Sequence, residues 1–116
     1  MAILSILMEK NDCLALARQS GAPLAALSPL GKLPPTQAPL SQAGQPLANN
    51  PDAKKHVGTL ANPDWLVTMR MGGGDWPITE LCLCAKRTAS DLTGIRPTAD
   101  GLVEILGWSS VGAFVD

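Results

Sequence analysis

The sequence predicts an α+β chain that is mainly helical, with a compact C-terminal unit, an N-terminal helix and a proline-rich extended arm between them. Apolar residues recur at helical spacing near the N-terminus and again beyond residue 75, and seven of the ten prolines lie within residues 22–51. All the aromatic residues lie beyond residue 60, and because aromatic side chains bury the most area, the core is expected there. We therefore divide the chain into an N-terminal element (1–21), an arm (22–52) and a compact unit (53–116).

The N-terminal element is predicted to be a helix over residues 2–20. Apolar side chains fall on one side of it at a period of 3.6, and Gly21 is suited to end it. A break near Asn11 and Asp12, which would cap a second short helix, is the alternative. The apolar residues of the predicted stripe are Ile3, Ile6, Leu7, Leu14 and Ala17.

The arm carries a second pattern. Proline recurs too often between residues 22 and 51 for a helix or a central strand. Four leucines nevertheless recur at every third position, which matches the three residues per turn of polyproline II and would align them along one edge. We predict an extended arm lying in a groove of this chain or of a neighbour, with a disordered linker as the alternative. The leucines are Leu24, Leu27, Leu30 and Leu33.

The C-terminal unit is predicted to hold one strand and two helices. Alternation over 65–71 favours a strand that ends at Gly72–Gly74. Apolar residues spaced along 78–92 favour a helix over 76–93, with a strand over 78–85 as the competing interpretation. Pro97 and Thr98 are suited to open a further helix over 98–106, and the apolar tail 108–116 is interpreted as a strand or an extended segment.

Few residues are suited to catalysis or to metal binding. His56 is the only histidine, and its neighbouring lysines indicate a solvated surface position rather than a general base. Cys82 and Cys84, with His56 and Cys13, are the candidate zinc ligands. On a helix the thiols of Cys82 and Cys84 would point about 200° apart, whereas on a strand they would share a face, which would favour the site. We interpret Cys82 as a core residue and Cys84 as a flank residue, and predict no metal, no cofactor and no disulfide.

The corner between the two predicted helices has the length of a helix-turn-helix turn. In that alternative, Arg96 and Thr98 would contact nucleic acid. The formal charge of the chain is −1 and its basic residues are scattered, so the concentrated positive charge that binds DNA or an anionic membrane is missing.

These observations favour a non-catalytic structural or accessory subunit that binds protein neighbours, or further copies of itself, in a larger assembly. The candidate contact residues are the four leucines of the arm with Ile3, Ile6 and Leu7. A small helix-turn-helix DNA-binding regulator is the alternative, and an enzyme is not expected. The odd number of cysteines and the short N-terminal apolar run without a basic flank predict a cytoplasmic protein without a membrane segment.

Overall fold

The fold is built on a five-stranded antiparallel sheet with the strand order β1-β5-β4-β3-β2. The computed structural model describes residues 4–19, 21, 24–33, 39–73, 76–87, 90–98 and 101–115. Strands β2 to β5 follow one another as a meander, and β1 joins the sheet beside β5. The elements in chain order are β1 (Leu4–Met8), α1 (Lys10–Gln19), α2 (Pro51–Ala61), β2 (Trp65–Gly73), β3 (Trp76–Ala85), β4 (Leu92–Pro97), β5 (Val103–Trp108) and α3 (Val111–Val115).

The prediction of a mainly helical chain is wrong, and the error lies in the C-terminal unit. The helices predicted over 76–93 and 98–106 are replaced by the strands β3, β4 and β5, and the tail ends in the short helix α3. The strand predicted over 65–71 is confirmed as β2. Buried residues follow one another without alternation in β4, because side chains cover the sheet there on both faces. Such a run has no period of two and is compatible with either type of element.

The N-terminal element is a strand followed by a helix. β1 pairs antiparallel with β5, so Ile6 lies opposite Ile105 and Met8 lies opposite Val103. The chain leaves the sheet at Glu9, whose carbonyl accepts the first helical hydrogen bond of α1 from the N–H of Cys13. The predicted helix over 2–20 is therefore wrong in its first part. The break lies at Glu9, two residues before Asn11, and a strand rather than a first short helix precedes it.

Helix α2 begins where the proline-rich arm ends. The Asn50 side chain caps it by accepting hydrogen bonds from the N–H groups of Asp52 and Ala53, and Pro51 occupies the first turn, where its missing N–H costs nothing. Its buried residues recur at helical spacing and face the sheet and α1. They are Ala53, His56, Val57, Leu60 and Ala61.

The first half of the arm is fastened to the C-terminal end of α2. Last-turn carbonyls of a helix lack partners within the helix, and the arm supplies them. The Ala25 N–H donates to the Ala61 carbonyl at 2.9 Å, and the Ser28 hydroxyl donates to the Leu60 carbonyl at 2.5 Å. A short 3-10 helix, Pro29–Lys32, follows, so the arm turns here instead of continuing as one extended segment.

The second half of the arm is fastened to α1 through a buried carboxylate. Asp12 is almost fully buried, and its two oxygens accept hydrogen bonds from the Ser41 N–H at 2.8 Å and the Ser41 hydroxyl at 2.7 Å. Gly44 passes so close that an added Cβ would lie 2.6 Å from the carboxylate. The turn at Ser41 is therefore built around the Asp12 carboxylate.

The leucines of the arm do not lie along one edge. Leu30 is fully buried in the core between the helices and the sheet, and Leu33 packs partly buried against that core. Leu24 and Leu27 remain half-exposed. The chain turns at Ala25–Ser28 and again in the 3-10 helix Pro29–Lys32, so the extended polyproline II conformation on which the stripe depended does not form.

We expect Leu30→Ala to lower the free energy of unfolding by about 2–5 kcal/mol, because it removes a fully buried side chain. Leu27→Ala, at a position that is 51% exposed, is the matched control and should cost less than about 1 kcal/mol. Urea unfolding followed by circular dichroism measures both. Equal losses of unfolding free energy in the two variants would contradict a buried Leu30 and an exposed Leu27.

We expect Asp12→Asn to destabilise the fold by about 1–3 kcal/mol, because an amide nitrogen would face the donors of Ser41 in a buried site. Asp52→Asn, which removes an exposed carboxylate in the first turn of α2, is the control and should cost less than about 1 kcal/mol. The comparison uses the same unfolding measurement. An Asp12→Asn variant as stable as the wild type would show that the anchor contributes nothing.

Candidate functional site

The two faces of the sheet are covered very differently. The face towards α1 and α2 packs into the main core, which includes Cys82, Cys84, Ile95 and Ile105. The opposite face, here called the open face, carries a smaller cluster around Leu83, Leu92 and Trp108, and of the described helices only α3 covers it. The open face is therefore the candidate surface for a protein partner.

Helix α3 shields the part of the open face near β5. The Phe114 ring meets the Trp108 ring edge to face, with ring centroids 4.9 Å apart and planes at 84°. Trp108 and Leu92 are buried, whereas Val111 and Val115 remain exposed on α3. This short helix thus closes one side of the open face, while Trp65 and Val67 of β2 remain exposed on the other side.

An apolar strip runs along the uncovered side. Trp65, Val67 and Met69 alternate along β2 and so share one face. Met69 lies opposite Leu81 of β3, and Val67 lies opposite Leu83. Trp65 is 38% exposed and Val67 is 48% exposed, while Met69 and Leu81 are partly buried. We use the name apolar strip for Trp65, Val67, Met69 and Leu81.

The opposite side of the open face carries an ion pair. Arg96 at the end of β4 binds Glu104 of β5, and Glu104 also accepts a hydrogen bond from the Ser5 hydroxyl at 2.9 Å. Thr98 follows β4 in a tight turn, where its N–H and hydroxyl both donate to the Leu102 carbonyl. The two residues named for nucleic-acid contact are thus already engaged within the chain.

The N-terminal residues named as partner contacts divide between the two faces. Ile6 packs against the main core, and Leu7, 58% exposed, lies on the open face across from Glu104. Ile3 lies outside the described residues. None of the four residues of the apolar strip was among the predicted contacts. The strand signal of residues 65–71 contained three of them, but it did not show that the alternating face would stay uncovered.

His56 is buried on α2, so its interpretation as a solvated surface residue is wrong. Its Nδ1 lies 2.6 Å from the Thr93 hydroxyl oxygen on β4, and Thr93 is fully buried. Beside it, the Lys55 side chain forms an ion pair with Asp91. A histidine at this distance can act as a base and activate a hydroxyl as a nucleophile. A substrate, however, cannot reach the fully buried Thr93 hydroxyl. The pair joins α2 to the sheet.

The position of His56 depends on a glycine in β5. A Cβ added at Gly107 would lie 2.7 Å from the His56 Nε2, closer than atoms tolerate. The sequence signal that could have placed His56 on the inner side of a helix is Asn50-Pro51 followed by apolar residues at helical spacing. The two lysines that precede His56 obscured this signal, because they suggest a charged, exposed segment.

The three cysteines are free and buried. Because β3 is a strand, Cys82 and Cys84 lie on the same face, and Cys84 is fully buried, so its assignment as a flank residue is wrong. Burial, with a smaller contribution from the neighbouring Cys82, raises the pKa of Cys84 to about 12. Burial and Asp12 raise the pKa of Cys13 to about 12. Both thiols stay protonated at neutral pH, and within the described residues no three potential ligands converge on a metal position.

We expect the stability to fall as the pH drops below 6.5 because of His56. Burial first, and then Lys55, lower its pKa in the folded protein from the usual 6.5, while Asp91 and Asp52 oppose that change. The unfolded chain therefore binds a proton at a higher pH than the folded chain does. The stabilisation from neutral His56 is complete above pH 6.5 and is lost progressively below it, down to the lowered pKa.

Unfolding free energies of the wild type and His56→Gln between pH 8 and pH 5 measure this loss. The variant should lack the part of the slope that begins near pH 6.5. Asp91, whose pKa is lowered chiefly by its hydrogen bond with Lys55, acts in a separate window below its usual 3.8. Parallel curves for wild type and variant over pH 8 to pH 5 would contradict a depressed His56 pKa.

No described helix has the length and apolar character needed to cross a membrane. No protein family model matches this sequence, and no curated protein or solved structure matches it either. The functional conclusion therefore depends on the geometry of the open face and of the buried groups.

Proposed function

We propose that the protein is a non-catalytic structural subunit that binds a protein neighbour through the apolar strip, and that this neighbour is a second copy of the chain. The observation that carries the proposal is the strip itself, in which large apolar side chains of adjacent strands remain partly exposed side by side. A single exposed apolar residue is ordinary on a protein surface, whereas a contiguous group is typical of an interface.

Docking would remove the apolar area of the strip from water. Each Å² of apolar surface that is buried contributes roughly 25 cal/mol, and the tryptophan and methionine of the strip are residue types enriched in interfaces. The strip lies on β2 and β3, which share the longest hydrogen-bonded register in the sheet. A rigid surface of this kind loses little conformational entropy on binding.

Charge favours a second copy as the occupant. Arg96 and Glu104, which lie on the same face, neutralise each other, and the strip contributes no charge. In a two-fold symmetric dimer each surface meets its own copy, so a net charge would oppose association. A neutral apolar strip can face itself without leaving an unpaired buried charge.

A non-catalytic role agrees with the state of the reactive groups. The Thr93 hydroxyl is enclosed, and the Cys13 and Cys84 thiols have raised pKa values that suppress nucleophilicity. Free cysteines also suit the reducing conditions of the cytoplasm, which we retain as the proposed location. DNA binding is not carried forward, because the helices that suggested it are strands and Arg96 is paired with Glu104.

We expect Val67→Lys to abolish self-association, because it places an unpaired charge in the centre of the strip. Sedimentation equilibrium should give a mass above that of the 12.1 kDa chain for the wild type and the monomer mass for the variant. Thr68→Lys is the matched control, since it inserts the same charge one position along β2 on the opposite face. It should retain the wild-type mass.

Two results would contradict the proposal. One is a wild-type protein that stays monomeric at every concentration tested. The other is dissociation by Thr68→Lys and Val67→Lys alike, which would indicate that the backbone edge of β2, rather than its open face, makes the contact.

A further inference from the structure

A second feature, on the other face of the sheet, is a cavity of about 220 Å³ between the arm and the strands. The 3-10 helix Pro29–Lys32 and the following Leu33 form one wall, and strands β3, β4 and β5 form the other. The start of α1 borders it. The lining residues are Lys10, Pro29, Leu33, Glu80, Cys82, Ile95, Pro97 and Val103.

The cavity is amphipathic. Ile95, Cys82 and Val103 are buried and give it an apolar floor. Among the described lining residues, Lys10 and Glu80 carry charge, and both are partly exposed, which places charge towards solvent. A site with apolar walls and few polar groups is the usual form of a small-molecule pocket.

The two charges at the cavity are not equivalent. Glu80 is bound by Arg70 of the neighbouring strand, with 3.3 Å between Nε and Oε2. In the described part of the chain, Lys10 forms no ion pair. It also occupies the first position of α1, where the positive end of the helix dipole disfavours a cation. An anion beside Lys10 would relieve this repulsion and supply the missing partner.

Asp12, the acidic residue in the first turn of α1, does not neutralise Lys10. Asp12 lies about 200° around the helix axis from Lys10, and its oxygens are occupied by Ser41. Of the described residues, Lys10 therefore presents its cationic group to the cavity, while the Arg70 guanidinium offsets Glu80 on the same side of the sheet.

We propose that this cavity binds a small monocarboxylate, with its carboxylate at Lys10 and its apolar body against Ile95 and Val103. A cavity of about 150 Å³ holds benzene, so 220 Å³ accommodates a body of about nine carbon atoms by proportion. The ligand class is thus a medium-chain or single-ring carboxylic acid in its ionised form. This inference is independent of the apolar strip, which lies on the opposite face.

The test uses octanoate, octanol and octylammonium as probes of equal chain length. Methyl-resolved NMR of the full chain follows the Ile95 and Val103 methyl groups during each titration at pH 7.5. Octanoate should shift both resonances saturably, and octylammonium should bind at least about tenfold more weakly because it opposes Lys10. Octanol, without a charge, should fall between them.

Lys10→Met tests the contribution of the Lys10 charge separately from that of the apolar cavity. It should weaken octanoate about tenfold and leave octanol unchanged, whereas Lys54→Met, an exposed lysine of α2, should change neither affinity. Unchanged methyl spectra of the free variants show that the fold is intact. The proposal is overturned if octanoate leaves the Ile95 and Val103 methyls unshifted, if octylammonium binds as tightly, or if Lys10→Met retains the wild-type preference.

Discussion

The antiparallel pairing of β1 with β5 is the constraint on which the rest of the structure depends. It places the start of the chain at one edge of the sheet, while β2, the next strand in sequence, forms the opposite edge. The five strands span about 19 Å at 4.8 Å per neighbour. Residues 9–64 must cross this width, and the described helices α1 and α2 do so on a single face. The topology therefore covers one face of the sheet and leaves the other to the short helix α3.

Polar contacts, as well as apolar packing, hold the arm and the helices α1 and α2 on the sheet. The Asp12 carboxylate holds the turn at Ser41, the carbonyls at the end of α2 hold Ala25 and Ser28, and His56 joins α2 to Thr93. Each contact satisfies a group that would otherwise be buried without a partner, which is costly. A proline-rich segment that cannot form a long helix or a central strand is thereby built into the core layer.

The same arrangement produces both candidate sites. The described part of the arm leaves a cavity beside Lys10 above β3, β4 and β5. On the open face, α3 reaches Trp108 but not β2, so the apolar strip stays partly exposed. One surface suits a neighbour of similar apolar character, and the other suits a small anion. The two sites share strand β3 but use opposite faces of it.

What the sequence by itself determined is local. The alternation of Trp65, Val67 and Met69 specifies a strand, because a half-exposed edge strand keeps a period of two. Proline spacing excluded a long helix between residues 22 and 51. Only the tertiary structure decided that residues 76–85 and 92–97 form strands rather than a helix. Residues 82–85 and 92–95 are buried on both faces of the sheet, so apolar residues fill positions of either parity and match a helix equally well. Tertiary structure also decided the burial of His56 and Leu30, since each is enclosed by residues distant in sequence, and no local pattern contains those contacts.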